Sequence, residues 1–126
     1  MLKKEVVKID GRNITYYQSG IGKPIVLLPG LGSDCSLWTF VIPYLARYYK
    51  VWAFSLPVYG TRDQYGHIYT FRTLPKLLEK ILRKFNIENP ILIGHSLGSL
   101  VSLVYATKHP KSIKKMILVS SPLKDK

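Results

Sequence analysis

Short apolar runs alternate with amphipathic stretches along most of this chain. Residues 25–28 form a continuous apolar run, the pattern of a strand that is covered on both faces. The pattern as a whole predicts six strands, over residues 6–9, 13–17, 25–28, 51–54, 90–93 and 113–119. Apolar residues at helical spacing predict helices over residues 36–48, 71–85 and 97–108, the first bent or broken near Pro43.

The order of these elements indicates the fold class. The first two predicted strands meet at Asp10-Gly11, a dipeptide favoured in two-residue hairpin turns, so they should pair antiparallel. Strands and helices then alternate, which calls for a parallel sheet with right-handed crossovers and helices on both faces. No linker or internal repeat interrupts the pattern. We therefore expect a single α/β domain over residues 1–126.

The predicted helix over residues 71–85 separates its charges from its apolar residues. Its apolar row, which we expect to be buried, is Phe71, Leu74, Leu78, Ile81 and Phe85. Its opposite row is Arg72, Lys76, Lys80 and Lys84. The net charge of +12, from 19 Lys+Arg against 7 Asp+Glu, is thus typical of solvated helix faces. Since no nucleic-acid-binding motif accompanies the charge, no specific nucleic-acid partner is expected.

Several classes of protein do not fit the sequence. No apolar run approaches membrane-spanning length, and the charged start leads into a strand rather than into an apolar signal core. We therefore expect a cytoplasmic protein without a membrane span. The single cysteine, Cys35, is interpreted as a packing residue near the start of a helix. Neither a metal nor an organic cofactor is expected.

The most informative motif is Gly94-His95-Ser96-Leu97-Gly98, at the junction of a predicted strand and a predicted helix. A Gly-x-Ser-x-Gly at such a junction is the signature of a nucleophile elbow, a sharp turn that exposes the serine hydroxyl. Strand and helix approach each other closely there, and side chains two positions before and after the serine would collide. Gly94 and Gly98 remove those side chains. The motif predicts Ser96 as a nucleophile with a strained backbone, its oxygen facing the loop near Leu31.

With two further segments, this motif resembles the α/β-hydrolase superfamily, in particular its single-domain esterase, lipase and peroxidase-like branch. Residues 26–33 (Val-Leu-Leu-Pro-Gly-Leu-Gly-Ser) resemble the family's oxyanion loop after its third strand. Residues 105–110 (Tyr-Ala-Thr-Lys-His-Pro) and 117–122 (Ile-Leu-Val-Ser-Ser-Pro) resemble its passage from the elbow helix to the sixth strand. The resemblance implies a truncated α/β-hydrolase with strand order 1-2-4-3-5-6 that ends after the sixth strand.

The resemblance also implies roles for individual residues. Ser96 would attack an ester or similar acyl carbonyl, while the backbone N–H groups of Leu31 and Leu97 would form the oxyanion hole. Gly30 and Gly32 would let the backbone approach the substrate, although an ordinary tight turn explains them equally well. Two segments depart from the family pattern. Pro29-Gly30 replaces the usual His-Gly, and Ser55 begins a segment where an Asp and a glycine-rich turn are common.

The triad base is not evident in the sequence, because in the family the acid and the histidine follow strands beyond the sixth. His67 is the candidate base, since its loop follows the fourth strand at the carboxyl edge of the sheet, where ligands bind. An exposed loop histidine without a role is the alternative. His95 should point away from the Ser96 oxygen, and His109 lies at the far end of the elbow helix.

The triad acid is equally undefined. Asp125 follows the sixth strand, a place that some lipases use for the acid. Its position between Lys124 and Lys126 in the tail favours disorder instead. Asp34 and Asp63 are interpreted as a helix-start residue and a loop residue.

Three functional hypotheses follow. The chain is a serine hydrolase acting on small carboxylic esters, a non-catalytic relic or binding module that keeps the elbow for structural reasons, or the first part of a split hydrolase completed by another chain. The sixth strand should be an exposed sheet edge, because the strands that normally cover it are absent. Such an edge invites self-association or pairing with a complementing chain.

Overall fold

A computed structural model describes residues 2–122. Its six strands are β1 (Glu5–Ile9), β2 (Arg12–Ser19), β3 (Pro24–Leu28), β4 (Lys50–Phe54), β5 (Ile91–His95) and β6 (Lys115–Val119). Its α-helices are α1 (Ile42–Leu45), α2 (Leu74–Lys84) and α3 (Leu97–Lys108), and a 3₁₀ helix spans Cys35–Trp38. All six predicted strands are present, with ends that differ by one or two residues.

The strands form one sheet in the order β1-β2-β4-β3-β5-β6, which confirms the expected topology. β1 and β4 each pair antiparallel with β2, whereas β3 pairs parallel with both β4 and β5, and β5 with β6. The register places Leu28, the last residue of β3, opposite Gly94 of β5. The chain segments that leave β3 and β5 therefore begin side by side at the carboxyl edge of the sheet.

The hairpin between β1 and β2 turns at the predicted dipeptide. Asp10 has φ 50° and Gly11 has φ 77°, and Ile9 pairs directly with Arg12. Positive φ at both central residues is the requirement of a type I′ turn, which asparagine, aspartate and glycine meet most easily. The local sequence therefore fixes this turn.

Two apolar layers cover the sheet. On one face, Val26 and Leu28 of β3 pack with residues of α2 and α3. On the other face, Ile25 and Leu27 pack with Trp38 and Ile42. Because successive side chains of a strand point to opposite faces, a strand covered on both sides reads as a continuous apolar run.

The predicted helix over residues 36–48 is broken before Pro43, one of the two predicted alternatives, and its last helical residue is Leu45 rather than Tyr48. The chain forms a 3₁₀ helix, Cys35–Trp38, and then the one-turn helix α1, with Pro43 in its first turn. Proline has no N–H to donate to the preceding turn, so it is tolerated at the start of a helix rather than inside one. Cys35 is fully buried, which confirms its interpretation as a packing residue.

The second helix begins later than predicted. α2 starts at Leu74 with Pro75 in its first turn, so the expected burial of Phe71 is wrong: its side chain is 38% exposed. Phe71 instead packs on Tyr59, with 4.9 Å between ring centroids. The charged row of α2 is exposed as predicted. The third helix has the predicted bounds.

Within residues 2–122, β6 is an edge strand that pairs only with β5. Ile117 and Val119 are 47% and 39% exposed. The expectation of an exposed edge at the sixth strand is confirmed for this part of the chain.

Candidate functional site

Ser96 occupies the turn between β5 and α3. Its backbone has φ 51° and ψ −114°, outside the regions that side-chain-bearing residues favour. Its N–H donates to the carbonyl of Val119 at 3.0 Å, which ties the turn to the end of β6. Its carbonyl accepts from the N–H groups of Ser99 at 3.0 Å and Leu100 at 3.3 Å, which begins the helix. The predicted strand-to-helix turn and strained backbone are confirmed.

The two flanking glycines are required by close packing. A Cβ placed on Gly94 would come within 2.6 Å of the Ser99 nitrogen, in the first turn of α3. A Cβ placed on Gly98 would lie 2.6 Å from the carbonyl oxygens of both Leu28 and Pro29. These are backbone atoms of neighbouring elements and cannot rotate away. The spacing of the motif therefore reflects contact between β5, α3 and the end of β3.

The loop after β3 lies against the Ser96 turn. A Cβ placed on Gly30 would be 3.1 Å from the Ser96 Cβ and 2.7 Å from His95 Nδ1. The N–H of Ser33 donates to the Gly30 carbonyl at 3.2 Å, and Gly32 has φ 75°, so residues 30–33 form a tight turn. The tight turn is present, and Gly32 supplies its positive φ, while Gly30 lets the loop lie close to His95 and Ser96. Approach of the backbone to a substrate stays a prediction.

Two backbone N–H groups of this region have no protein acceptor. Among the hydrogen bonds formed by residues 2–122, none has the N–H of Leu31 or of Leu97 as donor. Leu97 is the first residue of α3, where N–H groups are not satisfied by the helix itself. The Leu97 side chain is buried, whereas the Leu31 side chain is 65% exposed. A helix N-terminus with an additional free N–H nearby suits an oxygen that carries negative charge.

Ser55, where the chain departs from the family pattern, anchors the loop after β3. Its hydroxyl accepts a hydrogen bond from the Cys35 N–H at 3.0 Å and shares one with Thr15 Oγ1 at 2.7 Å. Its own N–H donates to the Thr15 carbonyl at 2.9 Å. Sequence analysis did not assign Ser55 this role. The available signal was a small polar residue directly after a buried strand.

Asp34 stabilises the same region. It precedes the 3₁₀ helix and accepts from the Ser36 N–H at 2.8 Å, which confirms its interpretation as a helix-start residue. Hydrogen bonds from the Ser36 hydroxyl and N–H lower the pKa of the Asp34 carboxyl, and nearby Lys4 at 3.7 Å adds to the effect.

His67 lies in an acid–base pair that the sequence did not predict. Its Nδ1 is 3.3 Å from Asp63 Oδ2, and its imidazole is 76% exposed. Asp63 also accepts from the N–H groups of Tyr65 and His67, each at 2.8 Å, as expected of a loop residue. Burial opposes ionisation of Asp63, but these N–H groups and the His67 imidazole together hold the pKa of Asp63 below its usual value.

The structure does not bring His67 to Ser96. His67 lines a cavity of about 290 Å³ with Asp10, which follows β1, and with Lys76 and Lys80 of α2. In the sheet, β1 lies four strand positions from β5, which amounts to about 19 Å at about 4.8 Å per strand. A general base must lie within hydrogen-bond reach of the proton that it removes.

Of the remaining candidates, His95 precedes Ser96 in the chain, and a Cβ on Gly30 would lie 2.7 Å from its Nδ1 and 3.1 Å from the Ser96 Cβ. The buried Nδ1 of His95 faces Gly30 and has no hydrogen-bond partner among residues 2–122. His109 directly follows α3 and stacks on Tyr105, with 4.5 Å between ring centroids. Its Nε2 lies 3.7 Å from Glu79 Oε2. Asp125 lies outside the described residues.

The described residues contain neither a cluster of metal-ligating side chains nor a helix able to span a membrane. No group of three or more His, Cys, Asp or Glu side chains within 2–122 is arranged to hold a metal ion. None of the helices in that range has the length and apolar character needed to cross a membrane.

Comparison with known proteins gives consistent matches. The family model described as alpha/beta hydrolase fold matches residues 23–126. An uncharacterized hydrolase of Bacillus subtilis, YugF, is 33% identical over 116 residues, which cover 90% of this chain and 42% of that protein. A pimeloyl-acyl-carrier-protein methyl ester esterase of Sodalis glossinidius is 27% identical over 110 residues, covering 86% of this chain and 41% of the esterase.

A solved structure agrees with these sequence matches. The crystal structure of Cfl2 from Burkholderia cenocepacia superimposes with a TM-score of 0.84 at 27% identity. The superposition covers 95% of this chain and 42% of Cfl2. The chain thus spans about two fifths of the length of these relatives.

Proposed function

This chain belongs to the α/β-hydrolase family, and from that premise we propose that Ser96 is the nucleophile of a serine hydrolase acting on small carboxylic esters. The observation that carries the proposal is the strained backbone of Ser96 at φ 51°, in a region with two N–H groups that have no acceptor among residues 2–122. Backbone strain of this kind persists where the surrounding structure imposes it, and it concentrates at active sites. The esterase among the relatives is consistent with this chemistry.

The proposed reaction forms a bond between Ser96 Oγ and the ester carbonyl carbon. The carbonyl oxygen becomes negatively charged and accepts hydrogen bonds from the N–H groups of Leu31 and Leu97. The C–O bond to the alcohol then breaks, and the alcohol leaves with a proton. Water hydrolyses the acyl group from Ser96 in the second half of the reaction.

The proton of the Ser96 hydroxyl needs an acceptor. His67 does not suit this role, because it lies beside the β1–β2 turn with Asp10. We propose that the base and its acid partner come from polypeptide outside residues 2–122, in the same chain or in a complementing one. Until they are provided, Ser96 should react slowly.

The β6 edge supports a second proposal, that another polypeptide completes this sheet. β6 pairs only with β5 within residues 2–122, and its Ile117 and Val119 side chains are exposed. The relatives extend well beyond the matched region, since the chain covers 42% of YugF. The proposed partner is a segment that adds a strand to β6 and supplies the missing base, with self-association through the same edge as its alternative.

Hydrolysis of p-nitrophenyl acetate tests the proposed function. We expect slow turnover by the wild-type chain and loss of that turnover in Ser96→Ala. Ser112→Ala, the matched control, should not change the rate, because Ser112 precedes β6 at the amino end of the parallel strands, whereas Ser96 follows β5 at their carboxyl end. His67→Ala should retain the wild-type rate. Equal rates for the wild type and Ser96→Ala would contradict the proposal and favour a non-catalytic binding module.

Reaction with a methyl fluorophosphonate, followed by intact mass spectrometry and peptide mapping, tests the nucleophile directly. In this reaction Ser96 Oγ bonds to phosphorus, fluoride leaves, and imidazole in the buffer accepts the proton. We expect the adduct on Ser96.

We also propose a cytoplasmic location, in which the single cysteine stays reduced. Fractionation of cells that express the tagged protein tests this location.

A further inference from the structure

An apolar surface adjoins the two N–H groups beside Ser96. A shallow depression of about 20 Å³ is lined by residues 30–33, by Leu97 and by the segment after β4, in particular Leu56, Val58 and Tyr59. Leu31 and Leu97, whose N–H groups have no acceptor within the described part of the chain, are themselves among the lining residues. If these two N–H groups bind the carbonyl oxygen of an ester, the acyl group of that ester therefore lies over this surface.

The side chains that form the surface are open to solvent. Leu31 is 65% exposed and Val58 is 58% exposed. Tyr59 is also exposed and continues the surface to Phe71, on which its ring packs. Single exposed apolar residues are common, but a contiguous group of them beside unpaired polar groups is typical of a binding surface.

The charge of the surface restricts its ligand. Among residues 2–122, none of those that line the depression is charged, although the chain carries 19 Lys+Arg and a net charge of +12. A carboxylate or phosphate on the acyl group would therefore gain no ion pair from these lining residues, whereas an apolar group gains contact with Leu31, Val58 and Tyr59. The acyl group that fits is therefore uncharged.

We infer that Leu31, Val58 and Tyr59 form the binding surface for a short, uncharged, apolar acyl group of the ester. The inference rests on the proposed function, because the carbonyl is placed by the N–H groups of Leu31 and Leu97. The enclosed volume holds little more than one carbon, so the rest of the chain lies on the open surface. Each added methylene is therefore only partly buried, and it contributes only part of the free energy that full burial of a methylene would give.

Alkyl fluorophosphonates with methyl, ethyl, propyl and butyl groups on phosphorus test the inference on the full chain. The alkyl group stands for the acyl chain, and mass spectrometry gives the rate of adduct formation on Ser96. We expect each methylene to raise the rate by about two- to threefold. A propyl probe that ends in a carboxylate should react no faster than the methyl probe.

Val58→Ser should flatten the dependence on chain length, so that the rates with the methyl and butyl probes become more nearly equal. Ile21→Ser, the same kind of change at a residue that is 86% exposed between β2 and β3, should keep the full dependence. Circular dichroism spectra that match the wild type establish that both variants are folded.

Two results would overturn the inference: a rate on Ser96 that does not change with chain length, and a dependence on chain length that Val58→Ser leaves intact. In the second case, loss of self-association in Val58→Ser would identify the surface as a contact between copies of the chain. Absence of any Ser96 adduct, with the methyl probe included, would instead overturn the proposed function and with it this inference.

Discussion

Gly98 lies so close to Leu28 that a Cβ on the glycine would come within 2.6 Å of the leucine carbonyl oxygen. This contact joins the first turn of α3 to the last residue of β3. It holds the N-terminus of α3, with its free N–H at Leu97, beside the loop that contains Leu31. The geometry around Ser96 therefore requires a residue without a side chain at position 98.

Gly98→Ala should destabilise the protein, although alanine is the better helix former by about 1 kcal/mol. The added methyl meets two backbone carbonyls and forces α3 away from β3, at a net cost of about 1–3 kcal/mol. Urea denaturation followed by circular dichroism measures the change. Gly32→Ala is the control, because its Cβ would meet nothing within 4 Å and only its φ of 75° is unfavourable. A Gly98→Ala protein as stable as the wild type would disprove the close packing.

Gly30→Ala should reduce the reactivity of Ser96 more than it reduces stability. The new Cβ would approach His95 Nδ1 and the Ser96 Cβ, so the loop with the Leu31 N–H must move away from the serine. We expect at least a tenfold slower reaction with the methyl fluorophosphonate, since one oxyanion donor contributes about 10²–10³ in catalysis. His95→Ala in the same protein removes the closest clash and should restore part of the rate. A Gly30→Ala rate equal to wild type would contradict the placement of this loop.

Ser55→Ala should lower the free energy of unfolding by about 1–3 kcal/mol. The substitution leaves the Cys35 N–H without its acceptor and removes the hydrogen bond to Thr15. Because Cys35 directly follows the loop with Leu31, reaction of Ser96 with the fluorophosphonate should also slow. Ser112→Ala, the exposed control, should change neither quantity. An unchanged reaction rate in a destabilised Ser55→Ala protein would limit Ser55 to a structural role.

Asp34 should make the stability of the protein depend on pH in the acid range. Hydrogen bonds from Ser36 lower the pKa of Asp34 in the folded state, so its ionised form favours folding. This contribution is present above the unfolded-state pKa of about 3.9 and is lost as the pH falls through the lowered folded-state pKa. Asp34→Asn keeps a capping oxygen but no charge. The Tm difference between wild type and variant should therefore shrink as the pH is lowered from 6 to 2.5, and a constant difference would contradict this assignment.

Ile117→Lys should weaken any self-association of the chain. Ile117 is 47% exposed on the edge strand β6, and a lysine there opposes pairing with a further strand. Sedimentation velocity at several concentrations measures the effect, with Ile21→Lys as the control at an exposed isoleucine away from β6. A wild-type chain that stays monomeric at all concentrations would count against self-association and leave the complementing segment as the proposed partner of this edge.

Much of the fold could be predicted because its signals are local. The Asp10-Gly11 turn follows from the φ angles that these residues tolerate, and the bounds of α3 follow from a glycine-flanked serine after an apolar run. The first helix could not be predicted as reliably. Pro43 allows either a bend or a new start, and only the packing of Trp38 and Ile42 against the sheet selects two separate short helices.

The sequence by itself determined the strand pattern, the turn at Ser96 and the need for glycine at position 94, since each depends on residues close together in the chain. The need for glycine at position 98 was predicted from the motif, but its cause is the contact with Leu28 and Pro29. Only the tertiary structure decided which distant groups meet. Ser55 reaches Thr15 and Cys35 across gaps of 40 and 20 residues, and His67 pairs with Asp63 near Asp10 rather than with Ser96. These relationships depend on strand order and on the path of the loop after β4, which local periodicity does not encode. The sheet therefore places the loop with Gly30 against Ser96 and leaves His67 beside Asp10.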